Sequence, residues 1–239
     1  MMTPQELARR IDHTILKPEA TLAEAQRIAA EARELHCASA CISPVFVAEV
    51  AKMLAGSGVK TCTVVGFPSG AAKATVKAIE ATVAVKDGAD EIDVVAHLPH
   101  LLACDLAAAK AELTEIVRAA RAARRDVVVK VIVESACLMK LAPDGGEQAI
   151  ATACAAVRQS GCDFIKTSTG FHPAGGASVE AVRLMKKHAQ GLLIKAAGGI
   201  RDLATAMAML DAGADRLGMS ASVAVVEELK KRRTGNDQR

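Results

Sequence analysis

Two lysines close two short apolar runs, Phe164-Ile165-Lys166-Thr167-Ser168-Thr169-Gly170 and Leu192-Leu193-Ile194-Lys195-Ala196-Ala197-Gly198-Gly199. Each run stops in small or glycine-rich residues and reads as a strand turning into a loop. Lysine is seldom buried without a partner or a task. Two ammonium groups brought to the mouth of one sheet repel each other, and the repulsion favours a neutral, nucleophilic amine at one of them. Such an amine condenses with a carbonyl group to a Schiff base.

A third lysine, Lys130, sits inside Val128-Val129-Lys130-Val131-Ile132-Val133-Glu134. Glu134 shares its face but lies four residues on, about 13 Å away at about 3.3 Å per residue. Lys130 therefore needs a carboxylate from another strand, and Asp93 in Glu91-Ile92-Asp93-Val94-Val95 and Asp12 in Ile11-Asp12-His13-Thr14 are the candidates. For Lys130 and Asp12 a buried ion-pair network and a part in the chemistry both fit. Lys166, Lys195 and Asp93, nearer strand ends, point to function.

The elements that must carry these residues follow from punctuation. Gly88-Ala89-Asp90-Glu91-Ile92, Gly161-Cys162-Asp163-Phe164-Ile165 and Gly213-Ala214-Asp215-Arg216-Leu217 each follow an alanine-rich helical pattern and lead into an apolar run, the mark of a helix ending at glycine before a parallel strand. The pattern predicts eight strands: 11–16, 38–43, 61–66, 91–95, 127–134, 164–167, 192–196 and 216–219. Helices are predicted over 21–36, 44–55, 71–87, 105–123, 146–160, 179–189, 202–212 and 221–233, with an extra N-terminal helix over 4–10. Strict alternation and near-continuous apolar strands predict a single (β/α)8 barrel over residues 1–233, with 234–239 a frayed polar tail. In such a barrel the site lies at the C-terminal ends of the strands.

The loops after strands seven and eight commonly hold phosphate in these barrels, and Gly198, Gly199, Gly218 and Ser220 stand there with small residues exposing backbone N–H groups before a helix. Thr169 and Gly170, just past Lys166, belong to the same predicted anion site. Cys41, at the end of strand two, is read as a buried thiol beside the cavity. His13, His97, His100 and His172 lack metal-type spacing, and no metal is expected. The formal net charge of +3 at pH 7 leaves no broad footprint for nucleic acid or an anionic membrane. Seven cysteines without a C-x-x-C pair suit reduced thiols, and the N-terminus lacks a basic region followed by an apolar core; both predict a cytoplasmic protein.

Together these segments resemble deoxyribose-phosphate aldolase, a class I aldolase family. The likeness runs through Ile11-Asp12-His13-Thr14, Leu16-Lys17-Pro18, Cys41-Ile42-Ser43-Pro44, Val65-Gly66-Phe67-Pro68, Glu91-Ile92-Asp93 and Lys130-Val131-Ile132. It continues through Asp163 to Phe171, Lys195 to Arg201 and Arg216 to Ser220. The resemblance implies Lys166 as the Schiff-base lysine, Lys195 as the neighbour that perturbs its pKa and Asp93 as the proton relay. It implies reversible cleavage of 2-deoxyribose 5-phosphate to acetaldehyde and glyceraldehyde 3-phosphate without metal or cofactor and, by family habit, a homodimer. Three departures stand out: Ala96-His97-Leu98-Pro99 where many members carry an Asn-x-Gly type sequence, Met219-Ser220-Ala221-Ser222 with one of two common serines, and no tyrosine for a C-terminal proton relay. A phosphosugar isomerase or a silent sugar-phosphate binder on the same fold are the competing readings, and the two strand-end lysines discriminate against both.

Overall fold

The computed structural model describes residues 2–236. Its eight strands are β1 Ile11–Ile15, β2 Ser39–Ile42, β3 Lys60–Val65, β4 Glu91–Val95, β5 Val128–Ile132, β6 Phe164–Lys166, β7 Leu193–Ala197 and β8 Arg216–Met219. They pair in parallel in sequence order, and β8 returns to β1, so the sheet closes on itself. The expected (β/α)8 barrel is the fold observed.

Among the described residues eleven α-helices accompany the strands. A capping box between Thr3 and Glu6 starts α1, Pro4–Ala8, the expected N-terminal helix. It is followed by α2 Leu22–Leu35, α3 Val47–Leu54, α4 Ala74–Lys86, α5 Leu98–Leu102, α6 Leu106–Ala123, α7 Ser135–Leu141, α8 Glu147–Gln159, α9 Val179–His188, α10 Leu203–Asp211 and α11 Ser222–Asn236. The short α5 and α7 fall in loops after β4 and β5 where no helix is predicted. Pro99 in the first turn of α5 and a left-handed Glu134 (φ 49°) ahead of α7 are local start signals too short to give a helical period. Helix α11 continues three residues past Arg233 to Asn236; the rest of the predicted tail, 237–239, lies outside the described residues.

Two apolar layers follow from the strand alternation. Outward-facing Ile11, Ile92, Val94, Val129, Val131, Ile165, Ile194 and Leu217 are buried under the helices in one continuous core. Inside the barrel the filling differs sharply. Cys41, Cys62 and Val64 form a small apolar cluster, and the fully buried Asp12, Asp93, Lys130 and Lys195 lie against it. Burying four charged side chains is tolerable only where they pair.

Candidate active site

Strand register brings the predicted residues together. Asp93 lies opposite Lys130, Lys166 opposite Lys195, and Lys195 opposite Arg216 in neighbouring pairs around the barrel. Asp93 is the hub: its Oδ2 accepts hydrogen bonds from Lys166 Nζ and Lys195 Nζ, each at 2.7 Å, and its Oδ1 accepts one from Lys130 Nζ at 2.8 Å. Sequence spacing sets the two strand-end lysines against each other; the structure places one carboxylate oxygen between them.

The remaining partners separate the three lysines. Lys195 Nζ also meets Asp12 Oδ2 at 2.5 Å, and Lys130 Nζ also meets Glu91 Oε2 at 2.6 Å and Asp12 Oδ2 at 3.7 Å. Among the described residues Lys166 has Asp93 as its one salt-bridge partner. Burial opposes the charge on Asp93, but Lys130, Lys166 and Lys195 outweigh it and hold the carboxyl well below the usual carboxylate range. Asp12 is pulled down in the same way, by Lys195, Lys130 and Arg216 against burial. For Lys195 burial disfavours the ammonium, yet Asp12 and Asp93 together push its pKa up, so Lys195 remains a cation.

Three participants escaped sequence reasoning. Arg216 donates to Asp12 Oδ1 at 2.6 Å and to Glu91 Oε2 at 3.3 Å while its guanidinium lies 5.5 Å from the centre of the Phe164 ring. Glu91 stands two residues before Asp93, so the alternation of a strand had already put it on the same face. Cys62 accepts from Lys130 Nζ at 3.3 Å and its thiol, pushed up by burial, reaches Asp93 Oδ1 at 3.4 Å. Cys41 is fully buried and packs on Cys62 in the apolar cluster. Cys41, Cys62 and Asp93, or Asp12, Cys62 and Glu91, converge closely enough to hold an ion, but lysine ammoniums already occupy their carboxylates.

Above this cluster opens a cavity of about 430 Å³. Of the three clustered lysines, Lys166 alone lines it; Lys130 and Lys195 lie beneath, fully buried. Thr169, Gly170, Gly198, Gly199, Gly218 and Ser220 all line the same cavity. Gly198 and Gly199 adopt φ of 91° and 83°, and a Cβ on Gly198 would meet Gly176 Cα at 3.0 Å, so this turn needs glycine. A Cβ on Gly218 would lie 3.0 Å from Lys195 Cε, which shows how tightly β8 packs on the lysine stem. Glu134, also missed, receives Thr169 N–H and, at 3.1 Å, Thr169 Oγ1, and thereby anchors the loop that follows Lys166.

The expected use of helix N-termini needs revision at one place. Asp202 caps α10 itself, accepting from Thr205 N–H at 2.8 Å, which leaves the glycine turn rather than that helix start as the candidate anion donor after β7. In return the cavity wall carries three cations that loop composition did not reveal: Lys17, Arg27 and Arg201. A second groove of about 590 Å³, sharing Leu16 and Phe171 with the first, is lined mainly by apolar side chains such as Phe67, Val76 and Ile79 and holds none of the lysines. Lys166 opens into the smaller, polar cavity.

Comparison with known proteins agrees with this geometry. The model of the DeoC/LacD family aldolases matches residues 7–226. The deoxyribose-phosphate aldolase of Mycobacterium avium is 48% identical over 95% of this chain and 100% of its own length. That of Caldanaerobacter subterraneus is 46% identical over 96% of both. Among solved structures, the aldolase QR15 superposes with a TM-score of 0.85 at 39% identity, covering 96% of this chain and 98% of its own. The deoxyribose phosphate aldolase of Aeropyrum pernix, described as tetrameric, gives 0.85 at 34% identity over 95% of this chain and 92% of its own. With a family model spanning most of the chain and relatives this similar over nearly their whole length, the protein belongs to the DeoC/LacD family of aldolases.

Proposed function

We propose that this aldolase works as a Schiff-base lyase on 2-deoxyribose 5-phosphate, with Lys166 as the nucleophile. The observation that carries the reading is the position of Lys166: it alone of the three lysines around Asp93 faces the cavity. The charge count agrees. Lys130, Lys166, Lys195 and Arg216 face Asp12, Glu91 and Asp93, four cations against three carboxylates. The amine held by the fewest carboxylates is Lys166.

The neutral Lys166 amine attacks C1 of the open-chain sugar, and loss of water gives an iminium. A base takes the proton of the C3 hydroxyl, the C2–C3 bond breaks, and its electron pair moves to the iminium to form an enamine, releasing glyceraldehyde 3-phosphate. Protonation of the enamine at C2 and hydrolysis return Lys166 and acetaldehyde. Asp93, ionised and touching both Lys166 and Lys195, is the group placed to accept and return these protons, directly or through water. Lys195, kept cationic by Asp12 and Asp93, supplies the fixed positive charge beside the iminium. Asp12 and Lys130 form the supporting network, with Cys41 packed beside it.

The phosphate is read into the upper part of the cavity, where Thr169, Gly170, the Gly198–Gly199 turn, Gly218 and Ser220 meet Arg27 and Arg201. Assembly as a homodimer and a cytoplasmic location complete the proposal, the first to be checked by light scattering of the purified protein. In support of the second, all seven cysteines are free thiols, and among the described residues no helix is long and apolar enough to cross a membrane. The activity is tested by coupling acetaldehyde release from 2-deoxyribose 5-phosphate to alcohol dehydrogenase and NADH. Turnover that is lost in Lys166→Ala supports the reading, and a folded wild-type protein without turnover overturns it.

A further inference from the structure

We infer that His13 is a positioning residue for the phosphate end of the substrate, acting through Ser222 and Glu31; the inference rests on the phosphate reading above. Asp12 and Thr14, its neighbours on β1, meet the barrel interior and the cavity, so His13 points away from the axis. Its side chain is 1% exposed. Nε2 lies 2.7 Å from Glu31 Oε2 on α2, and Nδ1 lies 2.8 Å from Ser222 Oγ at the start of α11. Three elements distant in sequence are thereby joined by one ring.

Both ends of the chain run to the cavity. Ser222 Oγ, fully buried, also lies 3.2 Å from the carbonyl oxygen of Met219. His13 and Met219 face each other in the β1–β8 pairing. Ser222 therefore ties both members of that pair and closes the turn Met219-Ser220-Ala221-Ser222, leaving Ser220 as the exposed member on the cavity wall. At the other end, Glu31 Oε1 holds Arg27 Nη1 at 2.5 Å, and Arg27 lines the same cavity. Burial opposes ionisation of Glu31, but hydrogen bonds from His13 and Arg27 prevail and keep its carboxyl below the usual range. Glu31 is thus a charged acceptor for both.

Packing alone does not ask for this arrangement. Two aliphatic side chains would fill the space between β1 and α11 without desolvating an imidazole and a carboxylate. What the polar chain adds is direction: it fixes a hydroxyl-bearing turn on one wall and a guanidinium on another relative to a common ring. Neither touches Asp93, Lys166 or Lys195, so its loss affects anchoring of the phosphate and spares the carbon chemistry.

The test compares 2-deoxyribose 5-phosphate with free 2-deoxyribose, and measures inhibition by inorganic phosphate, in wild type, Ser222→Ala and His13→Gln. Ser222→Ala removes one atom. His13→Gln carries an amide that reaches the Nε2 position, keeping Glu31 and releasing Ser222. In both, KM for the phosphorylated sugar and Ki for phosphate are expected to rise by about tenfold, the size of one weakened hydrogen bond to a charged group, with kcat held. Values for free 2-deoxyribose should stay within about twofold of wild type, and Ser222→Thr should restore the phosphate effect. An unchanged KM, or equal losses on the two sugars with a native circular dichroism spectrum, would overturn the inference while leaving the phosphate reading intact. A wild type that neither prefers the phosphorylated sugar nor responds to phosphate would remove the reading and this inference together.

Discussion

Lys166 and Lys195 share a single oxygen, Asp93 Oδ2, each at 2.7 Å. The sharing is unequal, because Lys195 is also held by Asp12 Oδ2 at 2.5 Å, whereas Lys166 turns toward the cavity. In the proposed mechanism this one carboxylate serves both the lysine that stays charged and the lysine that reacts. On that mechanism, proton transfer between substrate and Asp93 takes place beside a fixed cation.

Lys195→Met separates these roles. It removes the fixed cation and leaves Asp12 and Asp93 short of a partner, which costs about 3–5 kcal/mol of stability for a broken buried pair. Turnover should fall by at least about 100-fold, the lower range for losing a group that controls proton transfer. Stopped-time assays across pH together with thermal melting check both parts. A melting temperature lowered with turnover unchanged would show a purely structural lysine.

Asp93→Asn keeps the shape and removes the charge that three ammoniums share. Loss of turnover of about 100- to 10,000-fold is expected, together with a clear drop in melting temperature. Activity close to wild type would show that the relay lies elsewhere.

Gly218→Ala tests how closely the barrel wall guides Lys195. The added Cβ would stand 3.0 Å from Lys195 Cε and 3.0 Å from Ala197 Cβ. Overpacking of that kind costs about 1–3 kcal/mol. A lower kcat, with a fold retained by circular dichroism, is the expected result; an unchanged kcat would show that the lysine stem is free to shift.

Stability should be flat across the neutral range and fall at both ends. Asp12 and Asp93 are depressed in the fold, so their contribution is complete above the unfolded value of about 3.9 and is lost as pH falls below it toward their folded values. Lys130 and Lys195 are raised, so theirs is complete below the unfolded value of about 10.4 and is lost as pH rises beyond it. Melting temperatures measured in steps from pH about 3 to 11 check the shape, and a steep slope between about 6 and 8 would contradict these assignments.

Much of this was legible in the strands. β4 and β8 have the predicted bounds, and the other six strands fall within three residues of theirs, because apolar runs bounded by glycine and aspartate carry both the period and the punctuation. Lys130, Lys166, Lys195, Asp93 and Asp12 converge because alternation fixes which side chains point inward. Strand order alone did not reveal that Asp93 would be shared, since the partner chosen depends on barrel stagger. Arg216 begins a strand, where a cation reads as a solvated end. His13 lies in a predicted strand, but its partners lie 18 and 209 positions away, beyond any local pattern. The cations Lys17, Arg27 and Arg201 come to the cavity from separate elements, and nothing in the strand and helix pattern brings them together.

The most direct test of Lys166 is to incubate the protein with 2-deoxyribose 5-phosphate, reduce with borohydride, and follow intact mass with peptide mapping. The account predicts one reduced two-carbon or sugar adduct on the peptide carrying Lys166, absent from Lys166→Ala. A folded, active protein without an adduct, or with the adduct on Lys195 or Lys130, would contradict it.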